Sequence, residues 1–390
     1  MSSLIAGSPK LKVALIQRFV PHYNLIFYRK LAATSRYEWD FIFDAHPGAG
    51  ESGLASDAVT LLPTRPIRNV YLGPAVWQQG VNDWLRQNRY RAVVFELGWQ
   101  IISNPWLVRC AHQCGTAVIP WTKGSAESGR PRPWWRKQLE RRFVHHCDAI
   151  LAYGQVSSRY FQDYGYPAGR ISIAQNTVDV RTIAENVPAN RAQAVQLRAK
   201  LKLPPGEVVF GHLGRLVPQK HVDRIIEAFA AVRAQGLKAQ LVIAGDGPER
   251  VALEALARTA GVEQAVHFCG RIPETEVGGY FQLFDVFVSA YSAGLAVMEA
   301  MAHGIIALIT PEARPEIELI VDGQTGFITR DFSAAALQDG LHRAAAAVQQ
   351  GDMIGQYAQA RTLADATMEK MVTAFDQAID HALQLRKSAK

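Results

Sequence analysis

The stretch from Val208 to Lys220, VVFGHLGRLVPQK, decides the fold class. A short apolar run ends in a glycine and two basic side chains, and an amphipathic run starts near Val222. This order predicts a buried strand, a tight loop and a helix, with the loop at the carboxyl end of a parallel strand, where ligands of open α/β sheets bind. Arg215 and Lys220 would hold a diphosphate there, although two solvated basic side chains are the alternative.

Strand-like apolar runs alternate with amphipathic runs along the whole chain, which predicts an α/β protein with parallel sheets covered by helices on both faces. The runs that we predict to be strands are 13–16, 39–43, 92–95, 116–119 and 149–152, then 208–211, 240–244, 266–268, 286–289 and 305–309. A polar stretch ending at 203–206, Leu-Pro-Pro-Gly, separates the two series. The expected organisation is an N-terminal domain over 1–185, a C-terminal domain over 200–365, and a last helix over 366–390 that crosses back to the first domain.

Length and composition agree with two globular domains, since the chain has 390 residues, of which 48% are hydrophobic and 20% charged. No apolar run reaches the roughly 18 residues of a membrane-spanning helix, and the first residues lack the pattern of a signal peptide. We therefore expect a cytoplasmic protein. The 4 cysteines are irregularly spaced, which favours buried free thiols over a zinc site.

The positive charge is concentrated in the first half of the chain. The first 180 residues contain 21 Lys and Arg against 12 Asp and Glu, whereas the rest contains 21 against 23. Such asymmetry predicts that the first domain faces an anionic partner. Nucleic acid is not expected, because no recognisable reading motif accompanies the charge.

The segment 130–142 is the most basic part of the first half and carries two adjacent tryptophans. Tryptophan prefers the headgroup level of a bilayer, and basic side chains are attracted to anionic lipid. The segment therefore predicts peripheral attachment to the inner face of a membrane, and a solvated basic face with inward tryptophans is the alternative. The residues expected to contact the membrane are Arg132, Trp134, Trp135, Arg136 and Lys137.

A second loop and helix, Gly294 to Gly304, follow another predicted strand. Its small residues let the backbone approach a ligand at a helix N-terminus, where free amide groups attract phosphate oxygens. Glu299 lies in this helix among apolar neighbours, and a carboxylate in that setting needs donors. Two ribose hydroxyls would supply them, and a salt bridge to a neighbouring helix is the alternative.

Five motifs in this order resemble those of glycosyltransferase family 4, group 1. They are Gly-Arg-Leu with a following Lys at 214–220, Ala-Gly-Asp-Gly-Pro at 244–248, Phe-Cys-Gly-Arg at 268–271, the 294–304 segment, and Asp-Gly-Gln-Thr-Gly-Phe at 322–327. The resemblance is dense from Val208 to Ile328 and only architectural before that. It implies the GT-B fold, which is two Rossmann-like domains facing each other across a cleft, and retaining transfer of a sugar from a nucleotide-sugar.

The resemblance also implies which residues bind the donor. Arg215 and Lys220 would stabilise the leaving diphosphate as the catalytic pair, Glu299 would bind the ribose, and the base would lie near Arg271. The full donor set implied is Gly214, Arg215, Lys220, Arg271, Tyr291, Ser292, Gly294, Leu295, Glu299 and Glu316. No Asp-x-Asp pair is present, so transfer without a metal or cofactor is expected, with cations and helix N-termini neutralising the diphosphate.

Tyr291 departs from the family pattern, which commonly has a second glutamate eight residues before the ribose-binding one. Ser292 or Glu316 would substitute for it at the donor sugar, and Glu316 is preferred. Because this contact is altered, a relative that binds nucleotide-sugar without turnover is an alternative to an enzyme. No G-x-G-x-x-G follows the first strand, which argues against an oxidoreductase.

The acceptor is expected to contact loops of the first half. The candidates are His22, Asn24, Glu96 and Lys123, the last at a position where family members often carry a histidine. For Glu96 a surface or helix-capping carboxylate is the alternative. The resemblance suggests mannose from GDP-mannose as donor and a lipid-linked saccharide as acceptor in exopolysaccharide synthesis, with UDP-linked glucose or N-acetylglucosamine as the alternative donor.

Overall fold

The computed structural model describes residues 10–45, 58–124, 133–291, 294–311 and 316–388. The chain forms two compact units, the first from Met1–Asn176 with Met368–Lys390 and the second from Thr177–Thr367. The stretch 177–185, expected in the first domain, therefore groups with the second. It does so because the helix Val180–Lys200 packs along the helix Glu274–Leu283 of that unit.

The first unit is built on an eight-stranded sheet. Its strands are β1 (Lys12–Ile16), β2 (Glu38–Asp44), β3 (Thr64–Leu72), β4 (Ala75–Gln79), β5 (Ala92–Glu96), β6 (Ala117–Thr122), β7 (Ile150–Ala152) and β8 (Ile171–Ile173). The order is β4-β3-β2-β1-β5-β6-β7-β8, and all neighbours are parallel except β3 and β4, which form an antiparallel hairpin. The five predicted strands are confirmed; the hairpin and β8 were not predicted, because β3 (TRPIRNVYL) is mixed in polarity and β8 has only three residues.

The second unit is built on a parallel six-stranded sheet. Its strands are β9 (Val208–Leu213), β10 (Ala239–Ala244), β11 (Val266–Gly270), β12 (Val286–Ser289), β13 (Ile306–Ile309) and β14 (Phe327–Ile328). The order is β11-β10-β9-β12-β13-β14. Chain connections leave in opposite directions from β9, since β10 lies on one side of it and β12 on the other. Such a topological switch point is where open α/β sheets bind ligands.

Helices cover the sheets, and the α/β fold class is confirmed. They are α1 (His22–Thr34), α2 (Ala58–Leu61), α3 (Val81–Asn88), α4 (Asn104–Gln113), α5 (Trp134–His145), α6 (Gln155–Asp163), α7 (Val180–Lys200), α8 (Val222–Ala234), α9 (Arg250–Thr259), α10 (Glu274–Leu283), α11 (Leu295–Ala302), α12 (Ala334–Gln350), α13 (Ile354–Asp365) and α14 (Met368–Ser388). Over the described residues, no helix is both long and apolar enough to cross a bilayer.

The last helix, α14, belongs to the core of the first unit. Its buried Phe375 contacts the rings of Phe27, Trp39 and Trp121 at centroid distances of 5.3, 6.0 and 5.2 Å. Arg386 near its end forms an ion pair with Asp148 at 3.0 Å. The chain therefore returns to the first unit after completing the second.

The cysteines are free thiols, as expected, but they are not all buried. Cys110 and Cys147 are buried, Cys269 is half-buried and Cys114 is exposed. Cys114 is exposed because it lies at the C-cap of α4, where the helix ends at the surface.

Candidate functional site

Direct backbone contact fixes the loop that follows β9 against the loop that follows β10. The Gly214 amide donates to the Ala244 carbonyl at 3.0 Å. A Cβ atom at Gly245 would lie 1.8 Å from the Gly214 carbonyl oxygen, and one at Gly247 would lie 2.1 Å from the Leu216 carbonyl oxygen. Only glycine therefore fits at these two positions, and the loop at the switch point is held by its own main chain.

Two cations project from this fixed loop, as the sequence predicts. The Arg215 side chain is exposed, and in the described part of the chain its guanidinium has no hydrogen bond or ion pair. Lys220 ends the 3-10 turn Pro218–Lys220 just before α8. Its charge helps to lower the pKa of His212, a residue of β9. Both cations therefore follow the carboxyl end of β9, which is where ligands of open α/β sheets bind.

His212 is a buried polar residue behind this loop that the sequence analysis missed. Burial lowers its pKa to about 4, and the charge of Lys220 acts in the same direction. Nδ1 lies 3.0 Å from the Val288 carbonyl oxygen, so Nδ1 carries the proton and the neutral ring keeps an acceptor at Nε2. That atom is buried without a partner among the described residues. The sequence does not predict this buried polar residue, because a single histidine within an apolar strand forms no recognisable pattern.

Glu299 is a partly buried carboxylate on α11, which follows the neighbouring strand β12. Its carboxylate makes no hydrogen bond or ion pair within the described ranges, so the alternative of a salt bridge to another helix is not what the structure shows. Burial raises the pKa of Glu299 to about 7, and the nearby charge of Glu274 adds to the shift. A carboxylate left in this state lacks the donors that would offset its loss of water.

The start of α11 supplies amide groups next to this carboxylate. Gly294 is the N-cap residue, with φ 59° and ψ −144°, a conformation that glycine adopts readily. Leu295 is the first helical residue, and the amides of the first helical turn have no intrahelical acceptor. This helix end therefore offers donors to an anion, as the sequence predicts.

Tyr291 precedes α11 and contacts the residue after Lys220 through a short series of aromatic rings. Its ring meets His221 edge-on at 5.6 Å, and His221 stacks on Phe332 at 5.8 Å. His221 adopts a left-handed φ of 49° that turns its ring toward both neighbours. The position usually occupied by a glutamate thus presents a ring held in place by packing.

The remaining predicted donor residues follow other strands of this sheet or fall outside the residues that the structure describes. Arg271 follows β11, is exposed, and has no ion pair within the part of the chain that is described. Glu316 begins the 3-10 turn Glu316–Leu319. Ser292 falls outside the described residues.

The first unit contains a pocket of about 760 Å³ at the carboxyl ends of β1, β5 and β6. Of the predicted acceptor residues, Asn24, Glu96 and Lys123 line this pocket. His22 does not; it begins α1, and its ring lies edge-on to Tyr23 at 5.4 Å. Sequence reasoning therefore found three wall residues of the pocket from their positions after strands.

An ion pair that the sequence analysis did not anticipate forms one wall of the pocket. Arg18 Nη2 and Nε lie 3.0 and 3.2 Å from Glu96 Oε1, so Glu96 is neither a surface group nor a helix cap. Asn104 Nδ2 donates to the Glu96 carbonyl at 3.1 Å. Asn104 Oδ1 and Trp121 Nε1 are buried without a partner among the described residues. Both atoms are shielded from solvent, so they lie beneath the surface of the wall.

Both tryptophans of the basic segment are exposed at the start of α5. Trp134 is 77% and Trp135 46% exposed, so they do not pack inward as the alternative required. The Arg136 guanidinium lies 5.2 Å from the centre of the Trp135 ring, and Lys137 is exposed. Arg132 lies outside the described residues. Membrane attachment through this segment stays a prediction.

No group of three His, Cys, Asp or Glu side chains within the described stretches could hold a metal ion. Metal independence stays a prediction, which a chelator tests directly.

The two Rossmann-like units define a GT-B fold. The glycine-held cationic loop lies at the switch point of the second unit, together with a carboxylate that has no side-chain partner among the described residues. The chain belongs to the glycosyltransferases of family 4, group 1. Residues 25–182 match the family model described as Glycosyltransferase Family 4, and residues 195–361 match that described as Glycosyl transferases group 1.

Relatives and a solved structure agree with this assignment. The chain is 27% identical to alpha-monoglucosyldiacylglycerol synthase of Streptococcus pneumoniae, over 53% of this chain and 48% of the relative. It is 28% identical to D-inositol 3-phosphate glycosyltransferase of Nocardia farcinica, over 63% and 55%. The chain spans about half the length of these curated relatives. Anabaena HepE, solved with UDP, shares the fold with a TM-score of 0.72 at 17% identity, over 94% of this chain and 98% of HepE.

The raised pKa of Glu299 predicts how stability depends on pH. Between its ordinary value of 4.5 and about 7 the native state binds more protons at this site than the unfolded state, so this group lowers stability as pH rises through that window. Glu299→Gln removes the charge and is expected to raise the melting temperature at pH 8.5 but not at pH 4.5. Thermal denaturation at both pH values measures this.

The matched control is Glu276→Gln, since Glu276 is also half-buried but lies on α10. This variant is expected to show the same difference in melting temperature between the two pH values as the wild type. An equal gain for Glu299→Gln at both pH values would show that the carboxylate is not held in its protonated form by burial.

Proposed function

We propose that the protein transfers a sugar from a nucleotide-sugar to a hydroxyl of an acceptor, with retention at the anomeric carbon and without a metal. The observation that carries the proposal is the switch point of the second unit. There β9 leads to two cations, Arg215 and Lys220, and the adjacent strand β12 leads to the unpaired carboxylate Glu299. A nucleoside diphosphate matches both, because its diphosphate is an anion and its ribose presents two hydroxyl donors.

The chemistry follows from where charge develops. The bond between the anomeric carbon and the diphosphate oxygen breaks, and negative charge grows on the leaving diphosphate. Arg215, Lys220 and the amides at the start of α11 stabilise that charge without moving. The released diphosphate oxygen takes the proton of the acceptor hydroxyl as the new bond forms on the same face of the sugar. The products are the glycosylated acceptor and a nucleoside diphosphate.

The pocket of the first unit supports a polyhydroxylated acceptor. Tyr23 and Gln100 line the pocket, are exposed, and each carry donor and acceptor groups, and sugar hydroxyls act in both roles. The Arg18 and Glu96 charges neutralise each other, which favours a saccharide over a second anion at this wall. Lys123, Asn24 and the exposed Trp99 also line the pocket.

The finer assignment is transfer to a lipid-linked saccharide in polysaccharide synthesis, at the cytoplasmic face of a membrane. The name of the pneumococcal relative, a glucosyldiacylglycerol synthase, and the exposed tryptophans of α5 support a lipid acceptor. GDP-mannose is the leading donor by resemblance. Because HepE was solved with UDP, UDP-linked glucose and N-acetylglucosamine are tested alongside it.

A non-catalytic nucleotide-sugar-binding protein is the second candidate, and Tyr291 is the observation that favours it. A tyrosine ring packed on His221 cannot accept hydrogen bonds from the donor sugar in the way that a carboxylate does. Such a protein would bind the donor but would neither hydrolyse nor transfer it.

The nucleotide is identified by a thermal-shift panel of UDP, GDP, ADP and their sugar conjugates, since a ligand of the folded state raises the melting temperature. One base is expected to give a selective shift. Glu299→Gln is expected to bind that nucleotide about tenfold more weakly, because a hydrogen bond to a charged acceptor is lost. A panel without any shift would contradict donor binding.

Turnover separates the two candidates. Release of nucleoside diphosphate from the selected donor, measured with a lipid extract as acceptor, is expected to fall about a hundredfold in Arg215→Ala. The matched control is Arg224→Ala, since Arg224 is exposed on α8 and paired with Glu227, and this variant is expected to retain activity. Full activity of Arg215→Ala would place the diphosphate elsewhere. Loss of activity with a chelator would show that transfer requires a metal. Binding of the donor without turnover would establish the non-catalytic candidate.

A further inference from the structure

The geometry points to a second membrane-docking surface on the first unit, which we name the hairpin face. It consists of Arg68, Val70, Leu72, Ala75 and Trp77 on the β3–β4 hairpin, with Trp106 and Arg109 on α4. We propose that this face seats on a bilayer that contains anionic lipid. The inference rests on the proposed function in one respect, because it locates the membrane from which a lipid-linked acceptor would enter the pocket.

The register of the hairpin places apolar side chains together. Val70 pairs with Trp77, and Leu72 with Ala75. Since side chains of a strand alternate between its two faces, these four lie on the same face. The ring of Trp77 meets Trp106 of α4 edge-on at 5.1 Å. One apolar surface therefore extends from the tip of the hairpin to the first turn of α4.

This surface is open to solvent. Leu72 is 58% and Trp106 53% exposed, and large apolar side chains exposed on one continuous surface are unusual. Trp106 is amphipathic, with an apolar ring and an indole N–H donor, and such residues concentrate at the headgroup level of bilayers. The apolar part of the face therefore matches the interface of a membrane.

The charges of the hairpin face select an anionic surface. Arg68 lies on the same side of β3 as Val70, and Arg109 lies one helical turn after Trp106. Both are exposed, and neither has an ion pair or hydrogen bond within the described residues. Two unpaired guanidinium groups beside exposed tryptophan complement phosphate-bearing lipid headgroups.

The face is continuous with the pocket of the first unit. Val76 on β4 donates to the Gln100 carbonyl at 2.6 Å and accepts from the Ile102 amide at 3.0 Å. Ile102 and Trp99 both line the pocket and are exposed. A lipid in a bilayer that contacts the hairpin face would thus have its headgroup at the mouth of the pocket. A partner protein bound to the same face would instead obstruct that mouth.

The test is flotation of the full-length protein with vesicles of phosphatidylcholine alone or with phosphatidylglycerol added. Leu72→Ser with Trp106→Ser is expected to reduce binding to the mixed vesicles about tenfold, whereas Arg68→Gln with Arg109→Gln is expected to remove only the gain that phosphatidylglycerol gives. Val195→Ser with Val251→Ser, which changes exposed apolar residues of the second unit, is the matched control and is expected to bind like the wild type. A cooperative thermal unfolding transition without ligand reports whether each variant is folded.

Unchanged flotation of the Leu72 and Trp106 variant would overturn the proposal. So would loss of flotation only in Trp134→Ser with Trp135→Ser, since α5 would then be the whole membrane contact. A change in oligomeric state of the Leu72 and Trp106 variant without vesicles would assign the face to contact between copies of the chain. Vesicle binding needs neither donor nor acceptor, so its failure is distinguishable from failure of the proposed function, which the nucleotide panel and turnover assay report.

Discussion

The candidate site of the second unit depends on the main-chain contact between the loops that follow β9 and β10. A Cβ atom at Gly245 or Gly247 would overlap a carbonyl oxygen of the facing loop, so the two loops close on each other without any side chain between them. The backbone that carries Arg215 is thereby fixed before a ligand arrives. A cation presented from a rigid loop stabilises a diphosphate without the cost of ordering that loop.

Unsatisfied groups of opposite character meet at this edge of the sheet. Arg215 is a cation without a side-chain partner in the described part of the chain, and Glu299 is a carboxylate whose pKa burial raises to about 7. His212 behind them is kept neutral, so it adds no positive charge of its own. An anion alone would satisfy the cation but repel the carboxylate. A nucleoside diphosphate satisfies both, because it separates the charged diphosphate from the hydroxyl donors of the ribose.

The sequence predicts those parts of the structure that are local. The strand, loop and helix from Val208 to Val222 follow from apolar runs and glycine, and Glu299 follows from its apolar neighbours. The β3–β4 hairpin does not, because its mixed polarity resembles a loop. Nor does the pairing of Arg18 with Glu96, since it depends on two strands distant in sequence becoming neighbours in the sheet. The hairpin face depends on that hairpin and on its contact with α4, so only the structure reveals it.

Binding of the intact nucleotide-sugar as a function of pH tests the central claim most directly, since a diphosphate substituted at both ends has no ionisation near neutral pH. If ribose hydroxyls donate to Glu299, binding favours the ionised carboxylate. Calorimetric titration should then show an affinity that rises with pH up to about 7 and levels off above it, with proton release below pH 7. An affinity independent of pH, or proton uptake on binding, would contradict the account.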